Sequence, residues 1–166
     1  MNILAIGAHP DDIEFGCGGT LLKYAAKRTN IDLLVLTKGE AGGSAKTRIR
    51  EQEKSMLLLN GRNLYWGNFK DTKVPANKNL IVKIEAVISK SNPDFVFIIA
   101  PNDLHQDHRA LAGAAVTASR YVKRVLFYEV PTSQFFNPDV FVDITGCLEK
   151  KLALLAAHKS QIYKTR

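Results

Sequence analysis

The chain has 166 residues, of which 46% are hydrophobic and 23% charged, a balance that excludes disorder and suits one globular domain with its own core. No apolar run reaches the roughly 18–20 residues needed to cross a bilayer, so no membrane span is expected. The formal net charge is +7, but the basic residues are scattered and lack interleaved aromatics, which argues against nucleic acid as a partner.

The apolar run Ile3-Leu4-Ala5-Ile6 reads as a buried first strand, with no basic segment ahead of it to suggest a secretory signal. A cytoplasmic location is therefore expected. Cys17 and Cys147 belong to no CxxC pattern and are expected to be reduced, structural thiols. The first strand ends in His9-Pro10-Asp11-Asp12-Ile13-Glu14, followed by glycines at 16, 18 and 19 and a helix over 18–28. The glycines do not follow the dinucleotide fingerprint, because the histidine and aspartates occupy the place where GxGxxG would begin.

A second strand over 31–37 is nearly all apolar, as parallel strands buried on both faces are. It leads into the glycine-rich segment 38–44, read as the rim of a cleft. A helix from Thr47 stops at Asn60-Gly61, and Leu64-Tyr65-Trp66 forms a short third strand. The polar stretch 67–77 reads as a loop, and a helix from Leu80 ends at Ser91-Asn92-Pro93. The fourth strand, 94–100, runs into Leu104-His105-Gln106-Asp107-His108-Arg109, with a small-residue helix over 110–121 beyond it. A fifth strand over 125–130, a sixth over 140–144 and a last helix from about Cys147 complete the pattern. Alternating strands and helices predict an α/β fold, a Rossmann-like doubly wound, mostly parallel sheet with helices on both faces, in a single domain over 1–166.

Three of the four histidines fall at the ends of the first and fourth strands, each beside an aspartate. In a doubly wound sheet those ends face one crevice. His9, Asp12 and His108 are the expected metal ligands, because three protein ligands with one open position is the arrangement of catalytic zinc. Two imidazoles and a carboxylate suit Zn2+, with Fe2+, Co2+ or Mn2+ as substitutes. Asp11, next to a ligand, is the expected general base. His105 is expected as an imidazolium that supports an oxyanion or a departing amine, with Asp107 orienting its ring. The bland reading of Asp11-Asp12 is a helix entry, and His158, alone on the last helix, reads as a satisfied histidine.

The run Ala8-His9-Pro10-Asp11-Asp12-Ile13-Glu14 with Gly16-Cys17-Gly18-Gly19 resembles the opening motif of the PIG-L/LmbE-like zinc-dependent deacetylases. His105-Gln106-Asp107-His108-Arg109 is similar to their second motif. Further matches are Leu36 to Glu40 with Arg48 and Glu51, then Phe127-Tyr128-Glu129, and later Lys151 through His158-Lys159-Ser160-Gln161. The resemblance implies an acetylated amino sugar as substrate, zinc on His9, Asp12 and His108, and Asp11 as base. It places Arg48 and Glu40 near substrate, with Arg48 alternatively holding the Asp11 loop or pairing with Glu51 or Glu40 on the helix surface. Family members commonly continue for several tens of residues past the Ser-Gln pair, so a cleft wall is expected to be short here or to come from another subunit of a homo-oligomer.

The expected function is hydrolysis of an N-acetyl amide on an N-acetylglucosamine-type sugar. The alternatives are a metal-dependent phosphoester hydrolase using the same crevice and a non-catalytic metal- or sugar-binding module.

Overall fold

The structure, a computed structural model, describes residues 1–162. Five strands form one all-parallel sheet: β1 (Asn2–Gly7), β2 (Asn30–Thr37), β3 (Asn63–Phe69), β4 (Phe95–Ile99) and β5 (Val125–Tyr128), in the order β3-β2-β1-β4-β5. The near-continuous apolar runs of β1, β2 and β4 are buried because these strands have a neighbour on each side and helices above and below. The α/β doubly wound architecture is as the sequence pattern predicts.

The helices are α1 (Asp12–Gly16), α2 (Gly18–Ala25), α3 (Ala45–Leu59), α4 (Lys78–Ser91), α5 (Gln106–Ala118), α6 (Leu148–Ala157) and α7 (Lys159–Ile162). α4 packs with α5, whereas α2 and α3 pack with α6, giving two helical layers. Among the described residues no helix is long and apolar enough to cross a membrane. Strand order reverses between β1 and β4, whose registers pair Ile6 with Ile98. That switch point opens a crevice at the strands' carboxyl ends.

Gly16 serves neither a ligand nor a turn. A Cβ there would overlap the ring of Tyr128, whose hydroxyl donates to Ile6 O at 2.8 Å. Both cysteines are free thiols.

Three elements differ from the sequence pattern. The expected strand over 140–144 is not a strand and joins no sheet among the described residues, and Val140 and Phe141 are 63% and 81% exposed. Its β-branched and aromatic residues suit a strand, but a strand exists only where a neighbouring edge takes up its backbone groups. β3 continues to Phe69, since an edge strand tolerates the polar residues that suggested a loop. α5 begins at Gln106, four residues before the expected start, so Asp107 and His108 lie in its first turn.

Candidate metal centre

His9 lies two residues beyond β1, Asp12 is the first residue of α1, and His108 is the third residue of α5. Asp12 Oδ2 accepts the backbone N–H groups of Ala8 at 2.9 Å and His9 at 2.7 Å, which ties the carboxylate to the end of the strand. His9 Nδ1 then lies 3.3 Å from His108 Nε2 and 3.5 Å from Asp12 Oδ2, while Asp12 Oδ1 is 3.4 Å from His108 Nε2. Bonds of about 2.0–2.2 Å in a tetrahedral zinc site place ligand atoms about 3.3–3.6 Å apart. The donor set and its spacing therefore fit one zinc-sized cation.

Each histidine is braced from behind. His9 Nε2 faces Asp71 Oδ1 at 3.1 Å and Asp107 Oδ2 at 3.2 Å, and His108 Nδ1 faces Asp103 Oδ1 at 3.0 Å. A carboxylate on the far nitrogen fixes the tautomer and turns the other nitrogen toward the centre. The braces are themselves anchored: Asp107 accepts the N–H groups of Thr72 and Val74, and Asp71 accepts that of Ala41. Replacing Asp103 with Asn should weaken zinc binding by about 10–100-fold with the fold intact, measured by competition against a chromophoric chelator.

Two groups of side chains bring ligand atoms within 4.8 Å of one another and could hold a metal ion: His9 with His105 and His108, and His9 with Asp71 and Asp107. His9 belongs to both because its two nitrogens point opposite ways. On the Nε2 side, the Asp71 and Asp107 carboxylates are already bonded to backbone N–H groups, as a brace would be. On the Nδ1 side Asp12 Oδ2 likewise accepts two backbone N–H groups, while Asp12 Oδ1 and His108 Nε2 accept no backbone N–H.

The electrostatics show a site short of positive charge. Burial opposes protonation of His9, but the carboxylates of Asp107, Asp12 and Asp71 outweigh it and push its pKa up to about 12. Burial likewise opposes ionisation of Asp12, and His108 and His9 overcome it, holding Asp12 far below the usual carboxylate range. In the metal-free chain a proton on His9 takes the place of a cation, so metal binding must release it.

Asp11 occupies the N-cap of α1 without making a cap hydrogen bond, at φ 97° and ψ −25°. Left-handed backbone is costly for a residue with a Cβ and persists only where neighbours enforce it. Arg48 is one of those neighbours, with Nη2 donating to Pro10 O at 2.5 Å and lying 3.3 Å from Asp11 Oδ2. Its Nη1 donates to Gly39 O, and a Cβ on Gly39, which has φ 64°, would overlap the guanidinium. Burial first, and then the charge of Asp12, raise the Asp11 carboxyl pKa to about 7, against the opposing pull of Arg48.

Several expected roles change. Arg48 is 5% exposed and its terminal nitrogens bond the Asp11 and Gly39 loops, which is the loop-holding alternative of the sequence reading. Glu40 is exposed at the rim, but one carboxylate oxygen accepts the Asp71 N–H at 3.0 Å, giving it a loop-holding part. Asp107 faces His9 and not the His105 ring, because its place in the first turn of α5 turns the carboxylate toward β1. His105 Nδ1 instead accepts the Asp107 N–H at 3.2 Å, capping α5. That bond leaves the proton on Nε2, and burial with the charges of His9 and His108 lowers the His105 pKa. Both the bond at Nδ1 and the lowered pKa disfavour the imidazolium that the sequence suggested.

Sequence reasoning assigned no role to Asp71, Asp103, Glu14 or Gln52, and it read His158 as satisfied although neither ring nitrogen has a hydrogen-bond partner among the described residues. Glu14 and His158 stand inside motifs already singled out, which was the available signal. His158 is 2% exposed, with Nε2 3.6 Å from Glu14 Oε1.

Histidines and carboxylates thus gather at the switch point of a parallel sheet, close enough together to hold a cation. The family model described as "PIG-L: GlcNAc-PI de-N-acetylase" matches residues 4–119, and the chain belongs to this PIG-L family of deacetylases. It is 36% identical over 167 residues to the "Uncharacterized deacetylase YaiS" of Escherichia coli, covering 95% of this chain and 90% of that one. The conserved protein TT1542 from Thermus thermophilus superposes with a TM-score of 0.91 at 27% identity, covering 97% of this chain and 80% of that one. The N,N'-diacetylchitobiose deacetylase from Pyrococcus horikoshii gives 0.87 at 26% identity, covering 98% and 71%.

Proposed function

We propose that this chain is a zinc-dependent amidohydrolase that removes the acetyl group from an N-acetylglucosamine-type sugar or glycoconjugate. The observation that carries the reading is the 3.3–3.5 Å spacing of the nearest atoms of His9, Asp12 and His108, with a second carboxylate, Asp11, adjacent in sequence but turned to Arg48. Family membership and the activity in the name of the Pyrococcus horikoshii relative support the acetylated amino sugar as substrate class.

In this reading His9 Nδ1, Asp12 and His108 Nε2 hold the zinc. When bound, such an ion polarises a carbonyl oxygen and brings the pKa of water down to roughly 7. Asp11 takes a proton from the attacking water as its oxygen adds to the amide carbon. A base with a pKa near the working pH suits that task. His105 donates its Nε2–H to the oxyanion that forms, stabilising the charge without changing its own protonation. Asp11 then returns the proton to the nitrogen as the C–N bond breaks, leaving acetate and a free amine. Arg48 keeps Asp11 in place throughout.

The test is acetate release from N-acetylglucosamine and N,N'-diacetylchitobiose, with p-nitrophenyl phosphate as a control substrate. Acetate release that stops with a chelator and returns with zinc is expected. Cleavage of the phosphate ester alone, or acetate release insensitive to chelator, would overturn the proposal.

A further inference from the structure

Behind Asp11 lies a buried polar layer of which the reaction above uses only Arg48. The inward face of α3 carries Arg48, Glu51, Gln52 and Ser55, all buried. Gln52 is fully buried and bridges two points on the catalytic turn. Its Oε1 accepts the Asp11 N–H at 3.3 Å, and its Nε2 donates to Glu14 Oε1 at 2.7 Å. Ser55 Oγ donates to the same oxygen at 2.6 Å. Glu14 thus depends on α3 and on one further neighbour, His158, which comes from the far end of the chain.

That end is fastened just as closely. Ser160 donates its N–H to Glu51 Oε1 at 2.7 Å and its hydroxyl to Oε2 at 2.6 Å. Gln161 Nε2 donates to Gly42 O at 3.3 Å, in the loop whose glycines make room for Arg48. Burying Glu14 and Glu51 is costly, and hydrophobic residues would fill the same space at less expense. What the polar layer adds is connection: it joins the His158–Gln161 turn to the strained turn that presents Asp11.

We propose that the His158–Gln161 turn is a positioning element of the reaction centre, acting through Glu14 and Gln52 to hold Asp11 in its left-handed backbone conformation. The proposal rests on the reading of Asp11 as the base. His158 Nε2 stands at ion-pair distance, 3.6 Å, from Glu14 Oε1 without a hydrogen bond, Glu14 fixes the amide of Gln52, and Gln52 holds the Asp11 N–H. Loosening the first link frees the last without touching His9, Asp12 or His108.

The test compares wild type with His158→Ala, His158→Gln and Ser160→Ala in the zinc-loaded protein. Amide exchange resolved at Asp11 should speed up about tenfold in His158→Ala, with the β1 and β2 amides unchanged. Turnover should fall about tenfold in kcat, with KM and bound zinc within about twofold of wild type. His158→Gln, which keeps a donor for Glu14, should recover at least about half of the lost kcat, a rescue that bulk packing would not give. Ser160→Ala removes only the hydroxyl bond and should accelerate Asp11 exchange by about threefold, keeping the question answerable if His158→Ala does not fold. Unchanged Asp11 exchange in the folded variants would overturn the proposal, as would a lower melting temperature with kcat intact or zinc lost together with activity. If wild type releases no acetate, the proposed reaction fails, and exchange at Asp11 still decides the positioning.

Discussion

Asp11→Asn is expected to lower kcat by about 10²–10⁴-fold while zinc content stays at the wild-type value. The amide keeps the shape and hydrogen-bonding reach of the carboxylate, and asparagine tolerates left-handed backbone. It cannot accept the water's proton. The same substitution should stabilise the metal-free protein, and the pH dependence gives the sign. The Asp11 carboxyl titrates near 7 when folded and near 4 when unfolded. Because the folded pKa is raised, its contribution is fully present below about pH 4 and is lost as pH rises through about 7. The gain from Asn should therefore be small at pH 5 and larger at pH 8, read as the difference in urea midpoint between variant and wild type. A gain that does not grow with pH would contradict the burial and Asp12 repulsion assigned to Asp11.

Removing either histidine of the triad should abolish stoichiometric zinc binding, and His9→Ala should also be the more damaging to the fold. Three carboxylates, those of Asp12, Asp71 and Asp107, meet His9, whereas His108 meets Asp12 and Asp103. Taking one partner from a buried ion cluster costs about 3–5 kcal/mol, since the remaining charges have no counterion. Urea unfolding of chelator-treated protein measures the difference. The His9 pKa is raised when folded, so its stabilisation is complete below the unfolded value of about 6.5 and declines as pH rises toward about 12. Metal-free wild type should accordingly be more stable at pH 6 than at pH 9. Zinc affinity should move the opposite way, rising with pH as the displaced proton is more readily lost.

The alternation of strands and helices and the location of the crevice are legible in the sequence because parallel strands buried on both faces leave long apolar runs. Those runs place His9 and His108 at strand ends without any coordinates. Boundaries are less legible. The start of α5 is hidden because His105-Gln106-Asp107-His108 carries no apolar periodicity, and its cap is a histidine ring nitrogen in place of the usual hydroxyl or carboxylate. Val140–Ile144 has the β-branched and aromatic composition of a strand, but composition says nothing about whether an edge is available to pair with it.

The braces are out of reach for a different reason. Asp71 sits in a polar stretch and reaches His9 only because β3 runs three residues beyond its apolar core, delivering the following loop to the crevice. The motifs associate Arg48 with the site, but spacing cannot tell a guanidinium facing substrate from one facing carbonyls. Its burial and its bonds to Pro10 and Gly39 decide that point. The sequence reads His158 as a satisfied histidine, and it is buried. Its partner, Glu14, lies at the other end of the chain, a pairing that no local pattern reveals.

Anomalous diffraction at the zinc edge from crystals of the zinc-loaded protein tests the central claim most directly. One peak per chain, bonded to His9 Nδ1, an Asp12 carboxylate oxygen and His108 Nε2, is the predicted result. A peak on His9 Nε2 between Asp71 and Asp107, or none within bonding distance of the three side chains, would contradict it.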